Sequence, residues 1–205
     1  KEFDDCKGTL NDLSKKLKCY LPCLFYNYPD SRELLIYYHP NAEDLTKLDV
    51  ICRAYRKYLS INILAVEYPG YSYYQNYNTT SERIKEDADE LILFLTDFMK
   101  IKLSQVSIIG SSIGTGPVCY LSSKNKFKQV TLIAPFTNIK SLAKEKVFLF
   151  GSLVKEYFNN IECISKNRSP LLIIHGKNDE MISFNHSKKL YAVAKSLCNI
   201  FIFEN

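Results

Sequence analysis

The chain has 205 residues, of which 46% are hydrophobic and 24% are charged, and these proportions are ordinary for a soluble globular protein and exclude a disordered one. The net charge of +5 comes from scattered lysines, without the arginine-rich run that would indicate nucleic-acid binding. The length fits one domain, so we predict that residues 1–205 form a single α/β unit with a sizeable core.

The seven cysteines are odd in number, lie far apart and form no C-x-x-C pair. We interpret them as reduced thiols of an intracellular protein, where they act as small buried apolar residues. No apolar run is long enough for a membrane span or a signal sequence. Because the chain begins at Lys1, we expect it to be a part of a longer polypeptide, truncated at both ends. The expected location is cytoplasmic, or membrane-associated through an upstream segment.

Six short runs rich in Ile, Val, Leu and Tyr predict buried strands that are apolar on both faces. They are LLIYY from Leu34, INILAVEY from Ile61, VSIIG from Val106, VTLIA from Val130, LLIIH from Leu171 and IFIF from Ile200. Short runs within residues 19–28 favour additional antiparallel strands at the edge of the sheet.

Between these strands lie segments with the spacing of amphipathic helices. Apolar residues recur on one face of residues 45–59 and on one face of residues 84–98. Thr79 and Glu82 have the spacing of a capping box at the start of the second helix. The alternation of strands and helices predicts a mostly parallel sheet with helices on both faces. The less regular stretch of about 137–168 predicts a short helical cap over one end of the sheet.

The sequence Gly110-Ser111-Ser112-Ile113-Gly114 is a G-x-S-x-G motif between a predicted strand and a predicted helix. A nucleophile elbow needs this context, because a sharp turn there raises the serine above the sheet. Ser112 is therefore the predicted nucleophile, and the backbone N–H of Ile113 is a predicted oxyanion donor. The alternative is a glycine-rich turn that packs tightly or binds an anion. Ser111 is expected to pack or to hydrogen-bond locally.

A serine nucleophile needs a base and an acid that orients this base. Asp179 follows the predicted strand LLIIH, as the order Ser, acid, His requires, although a turn or N-cap role stays open on spacing alone. His39 and His175 precede the acid, and His186 follows it too closely on an amphipathic segment. We therefore expect the catalytic histidine just beyond Asn205, on a loop after the last predicted strand.

The turn His39-Pro40-Asn41-Ala42 after LLIYY can supply a second oxyanion donor. Proline has no backbone N–H, so Asn41 is the first choice for this donor and Ala42 is the second. Asp44 can cap the next helix from the same turn, and the two roles are compatible.

Five blocks of the sequence resemble those of the α/β-hydrolase fold. They are HPNAED at His39, EYPGY at Glu67, GSSIGTGP at Gly110, APFTNIKSL at Ala134 and HGKNDEMISFNHSKKLY at His175.

Within this fold, residues 21–205 resemble the abhydrolase-domain 17 group of protein depalmitoylases and related serine hydrolases. The resemblance implies that Ser112 is the nucleophile, that Asp179 is the acid, and that Asn41 and Ile113 form the oxyanion hole. The chain departs from the H-G-N-A of that group at Pro40, and the position of the group's catalytic histidine falls shortly after Asn205.

The implied reaction is a two-step acyl transfer on an ester or thioester, with no cofactor and no metal. The implied partner is an acylated protein or a lipid ester; nucleic acid is not expected, and peripheral membrane association stays open. Phe148, Leu149, Phe150 and Tyr157 of the predicted cap either line an acyl channel or pack in the core. Two alternative functions are a non-catalytic α/β-hydrolase-like interaction protein and a hydrolase of small soluble esters or peptides.

Overall fold

Seven strands form one sheet in the computed structural model, which describes residues 21–75, 77–141 and 158–204. They are β1 (Cys23–Tyr26), β2 (Leu34–Tyr38), β3 (Asn62–Val66), β4 (Val106–Ser111), β5 (Gln129–Ile133), β6 (Leu171–Gly176) and β7 (Cys198–Phe203). Their order across the sheet is β1-β3-β2-β4-β5-β6-β7. Only β1 is antiparallel to its neighbour, so the predicted mostly parallel sheet is confirmed.

The order of the strands brings the turns that follow β2, β4 and β6 to one edge of the sheet. Tyr38 at the end of β2 pairs with Gly110 of β4, and Gly110 pairs with Leu132 of β5. In parallel sheets, ligands bind at the carboxyl ends of the strands. The predicted nucleophile, acid and oxyanion turn therefore all lie at the carboxyl ends of the strands.

Within the described residues, five α-helices connect the strands. They are α1 (Asp49–Leu59), α2 (Ser81–Leu93, followed by a π-helical turn at Phe94–Phe98), α3 (Thr115–Lys124), α4 (Asn160–Lys166) and α5 (Asn185–Val193).

The central strands are apolar on both faces because each face packs against helices. The last three residues of β7 are exposed, so the prediction that IFIF forms a buried strand was wrong. Helices α2 to α5 cover one face, where Ile108 of β4 and Ile164 of α4 are fully buried. Helix α1 covers part of the other face, where Tyr37 of β2 packs near Cys52. The neighbouring residues Ile108 and Ile109 of β4 belong to opposite cores, as the alternation of side chains along a strand requires.

The start of α2 differs from the prediction by one residue. Thr80, not Thr79, is the N-cap, and its hydroxyl oxygen accepts the backbone N–H of Arg83 at 3.1 Å. The hydroxyl of Thr79 instead donates to the Pro69 carbonyl at 2.5 Å. The capping-box prediction was therefore wrong, because a contact with a distant loop uses the first threonine.

The helix after β2 also begins later than the sequence predicts. Asp44 does not cap α1; its Oδ1 accepts the backbone N–H of Thr46 at 2.9 Å, as in an Asx turn. Leu45 and Leu48 are nevertheless buried, because the turn before α1 already packs against the sheet.

The predicted cap spans residues 137–168, and the helix that the structure describes within it is α4. This helix contacts α3, and the ring of Phe158 lies so close to α3 that a Cβ on Gly116 would come within 2.4 Å of it. The apolar residues that were predicted to line an acyl channel, 148–150 and 157, lie outside the described residues. Within the described ranges, no helix is both long enough and apolar enough to cross a membrane.

Candidate active site

Ser112 lies at the end of β4 in a backbone conformation that is rare for a residue with a side chain. Its φ is +51°, in the left-handed region, and the residue is half-buried. A Cβ on Gly110 would lie 2.2 Å from the Gly114 carbonyl oxygen. A Cβ on Gly114 would lie 2.2 Å from the Tyr38 carbonyl oxygen. Both glycines are required because backbone meets backbone there, which is the geometry of a nucleophile elbow.

The serine is also at the start of a helix. Ser112–Gly114 form one 3₁₀ turn that continues into α3, and the Thr115 hydroxyl donates to the Ser112 carbonyl at 2.7 Å. The N–H groups of a first helical turn have no acceptor within the helix, and the helix dipole makes this end positive. The N–H of Ile113 belongs to this turn and is suited to hold a negatively charged oxygen.

The turn after β2 packs directly against this elbow. The close approach of Gly114 is to the backbone of both Tyr38 and His39, the last residue of β2 and the first of the turn. Asn41 follows in the same turn, and its Oδ1 accepts a hydrogen bond from the Tyr71 hydroxyl. The structure thus brings the two predicted oxyanion segments, at Asn41 and at Ile113, to one place.

Asp179 lies in the turn after β6. Its Oδ1 accepts the backbone N–H of Met181 at 2.8 Å and that of Ile182 at 2.9 Å. Its Oδ2 is 3.5 Å from Nε2 of His175, and its side chain is 22% exposed. One carboxylate oxygen therefore holds the turn, and the other is left to orient a further group.

Strand β5 separates the nucleophile from the acid. Neighbouring strands lie about 4.8 Å apart, so β4 and β6 are separated by about 10 Å. An imidazole between Ser112 and Asp179 is a bridge of suitable size for such a gap.

The three histidines of the chain are all buried and bonded to other groups. His39 contacts Glu67 and the Pro40 carbonyl, each at 3.0 Å. The ring of His175 also has both nitrogens occupied. Its Nδ1 and Nε2 contact Ser187 Oγ at 2.6 Å and the Ile182 carbonyl at 2.8 Å.

His186 is a buried residue of α5. Its Nδ1 accepts the backbone N–H of Thr137 at 3.2 Å and lies 2.9 Å from the hydroxyl of the same residue. Nδ1 is therefore already occupied by two groups of Thr137. These contacts indicate a packing role for His186, and the prediction of a base beyond Asn205 stays a prediction.

Comparison with known proteins agrees with this geometry. The model of the family described as Serine hydrolase (FSH1) matches residues 37–204. The chain belongs to this serine hydrolase family.

Among curated relatives, alpha/beta hydrolase domain-containing protein 17B of Homo sapiens is 31% identical over 195 residues, which cover 93% of this chain and 64% of the relative. Protein 17C of Mus musculus is 29% identical over 175 residues, which cover 83% of this chain and 53% of the relative. The predicted resemblance to the domain 17 group is confirmed. This serine hydrolase chain spans less than two thirds of the length of either relative.

Solved structures show the same fold. The monoacylglycerol lipase of Paleococcus ferrophilus has a TM-score of 0.67 at 14% identity, with 90% of this chain and 89% of that chain covered. Est1E of Butyrivibrio proteoclasticus, solved with ferulic acid, has a TM-score of 0.70 at 12% identity, with coverages of 89% and 85%. The chain therefore has the α/β-hydrolase fold.

One feature of this serine hydrolase was missed in the sequence, namely the buried pair of His39 and Glu67. Both residues directly follow strands, β2 and β3, that are neighbours in the sheet. Two polar residues at the ends of strands were visible in the sequence as the HPNAED and EYPGY blocks. Their pairing was not visible, because it depends on the order of the strands.

The described cysteines of this serine hydrolase are unfavourable nucleophiles. All of them are free thiols. Burial raises the pKa of Cys23 and of Cys52 to about 12, and it raises the pKa of Cys119 well above its usual value. A thiolate is the reactive form, so these groups are inert at neutral pH. Across the described ranges, no group of three or more His, Cys, Asp or Glu is arranged to hold a metal ion.

Proposed function

We propose that this serine hydrolase cleaves an ester or thioester in two steps, with Ser112 as the nucleophile. The observation that carries the proposal is the left-handed backbone of Ser112 between β4 and α3, with φ of +51°. Strained backbone of this kind persists where the surrounding structure enforces it, and it occurs often at active sites. In this fold it directs the serine hydroxyl out of the sheet toward the substrate.

The negative charge that develops on the substrate oxygen is held by two backbone N–H groups in this proposal. Ile113 supplies one from the first turn before α3, and Asn41 supplies the other from the turn after β2. The contact between Gly114 and the backbone of His39 keeps these two turns together. Such preorganised donors lower the barrier without reorganising during the reaction.

Asp179 is proposed to orient a histidine that is supplied from the segment after β7. Gly176 at the end of β6 pairs with Phe203 of β7, and the Asn178 side chain donates to the Glu204 carbonyl at 3.0 Å. The chain therefore leaves β7 beside the turn that carries Asp179. A histidine from this segment would take the proton of Ser112 and later donate it to the leaving group.

For the substrate, we propose a long acyl chain on the cysteine of a protein. Support comes from the similarity to the domain 17 group. The blocks quoted from the sequence resemble the protein depalmitoylases of this group. The measurement is hydrolysis of thioesters of increasing chain length. A preference for palmitoyl over acetyl thioesters supports the proposal, and the opposite preference indicates a hydrolase of small soluble esters.

The reaction itself is tested by labelling with a fluorophosphonate probe, read by intact mass. The samples are the 205-residue chain and the protein expressed through its natural C terminus, each with its Ser112→Ala variant. We expect labelling of the longer form only, and none of either variant. If a folded longer form does not label, the protein is better described as a non-catalytic interaction protein that acts through binding partners.

A further inference from the structure

The turn that carries Asn41 is tied to the segment after β3 by a buried hydrogen bond between two side chains. His39 Nε2 lies 3.0 Å from Glu67 Oε1, and both side chains are fully buried. The same carboxylate accepts the backbone N–H of Tyr68 at Oε1, at 3.0 Å, and that of Leu45 at Oε2, at 3.1 Å. Glu67 therefore fixes the turn at its beginning, through His39, and at its end, through Leu45.

The two ring nitrogens of His39 have different partners. Nδ1 lies 3.0 Å from the Pro40 carbonyl oxygen, which can only accept, so Nδ1 donates this hydrogen bond. Nε2 lies 3.0 Å from a carboxyl oxygen of Glu67, and the two oxygens of this carboxyl group also accept backbone N–H groups. One buried imidazole therefore joins the Pro40 carbonyl to the Glu67 side chain.

The bond from His39 to Pro40 sets the direction of the next N–H group. The carbonyl of Pro40 and the N–H of Asn41 belong to one planar peptide unit and point in opposite directions, because the peptide is trans. The backbone N–H of Glu43 donates to the same carbonyl at 3.2 Å. With the carbonyl held from two sides, the N–H of Asn41 has one direction available.

We propose that His39 and Glu67 are positioning residues that aim the Asn41 N–H at the oxyanion. This inference rests on the proposed function, because it assigns a task to groups around the same site. Tyr71 supports the same turn through its hydrogen bond to Asn41 Oδ1. Pro40 in place of the glycine of the related group is compatible with this role, because the donor is the N–H of the following residue.

Two substitutions at His39 separate the roles of its two ring nitrogens. The amide nitrogen of Gln can replace Nε2 and keep the contact with Glu67, but no donor then reaches the Pro40 carbonyl. The amide nitrogen of Asn can replace Nδ1 and keep the contact with Pro40. In the double variant His39→Asn/Glu67→Gln, this donor is kept and no buried charge is left unpaired.

We expect His39→Gln, in the protein expressed through its natural C terminus, to lower kcat on a p-nitrophenyl ester about 10- to 100-fold, since loss of one oxyanion donor costs about 100-fold or more. KM is expected to stay within about twofold, because the ground-state carbonyl gains little from the donor. The affinity for a trifluoromethyl ketone inhibitor, whose adduct carries an oxyanion, is expected to fall in parallel with kcat. The double variant is expected to recover a large part of both losses.

A further variant keeps the inference testable if His39→Gln fails to fold. Tyr71→Phe removes one hydroxyl from a half-buried residue and is expected to lower kcat about 3- to 10-fold, as a partial loss of the oxyanion geometry. A folded His39→Gln protein with unchanged kcat and ketone affinity overturns the proposal. If His39→Gln does not fold, an unchanged kcat in folded Tyr71→Phe overturns the proposal instead. Failure of the proposed function is distinguishable, because the parent protein would then hydrolyse no ester, or Ser112→Ala would keep the activity of the parent.

Discussion

The turn that carries Ser112 and the turn that carries Asp179 lie at the same edge of the sheet, but different interactions hold them. At the Ser112 turn, the backbone of Gly114 touches the backbone of Tyr38, and no side chain fits between them. At the Asp179 turn, one carboxylate oxygen accepts two backbone N–H groups, and the side chain is 22% exposed. The first turn depends on the absence of side chains, whereas the second depends on the presence of one. Substitutions in the two turns should therefore fail in different ways.

The largest effect is expected from Ser112→Ala, which removes the chemistry and leaves the geometry of the first turn. Loss of the nucleophile in such an enzyme lowers kcat about 10⁶-fold. The Ser112 carbonyl still accepts the Thr115 hydroxyl, so the melting temperature should stay close to that of the parent protein. The measurement is ester hydrolysis beside thermal unfolding. Ser111→Ala is the matched control and should retain activity; retained activity in Ser112→Ala itself would require another nucleophile.

The next effect is expected from Asp179→Asn in the second turn. The amide oxygen of Asn can still accept the N–H groups of Met181 and Ile182, so the turn should persist. The amide cannot stabilise the charged histidine or select its tautomer, and the corresponding change in a Ser-His-Asp enzyme lowers kcat about 10⁴-fold. Steady-state kinetics provide the measurement. Asp49→Asn, on the exposed surface of α1, is the control with unchanged rate. An active Asp179→Asn protein would leave Asp179 with only its role in the turn.

A change with a smaller effect on the rate, Gly114→Ala, tests the first turn directly. The added Cβ would meet the Tyr38 carbonyl at 2.2 Å and the His39 carbonyl at 2.9 Å, so the oxyanion turn must move. We expect a loss of about 1–3 kcal/mol in the free energy of unfolding, as is common for overpacked sites. We also expect kcat to fall about 10-fold or more, because one oxyanion donor is displaced.

Gly116→Ala is the matched control for this substitution. Its added Cβ would meet the ring of Phe158 at 2.4 Å, away from the backbone of the oxyanion turn. Stability should fall in both variants, but kcat should fall only in Gly114→Ala. Equal losses of kcat in the two variants would show that the close approach of Gly114 has no special role in the reaction.

The sequence predicted the first turn better than its surroundings, for physical reasons. LLIYY from Leu34 coincides with β2, and VSIIG from Val106 covers all of β4 except Ser111, because strands buried on both faces are continuous apolar runs. Part of the steric requirement behind the G-x-S-x-G motif is local, because a Cβ on Gly110 would meet the carbonyl of Gly114, four residues further along the chain. The requirement at Gly114 itself comes from Tyr38 of β2.

Contacts between distant segments could not be predicted in the same way. The hydroxyl of Thr79 is used by Pro69, so the N-cap of α2 moved to Thr80. The pair of His39 and Glu67 forms only because β2 and β3 are neighbours. Predicting the strands from the sequence does not predict their order in the sheet. The partners of buried polar groups depend on that order.

The smallest effect on the rate is expected from His186→Ala. His186 is in α5, close to the turn that carries Asp179 but outside it. The change leaves the buried N–H and hydroxyl of Thr137 without their bonds to the imidazole, at a cost of about 1–3 kcal/mol. For a chain of this size, each kcal/mol lowers the melting temperature by about 2–4 °C. Because Nδ1 is occupied by the backbone of Thr137, kcat should stay within a few fold of the parent value. Thr137→Val, which removes the hydroxyl from the same contact, should likewise lower stability and spare the rate. A collapse of kcat in folded His186→Ala, without the same collapse in Thr137→Val, would identify His186 as the base.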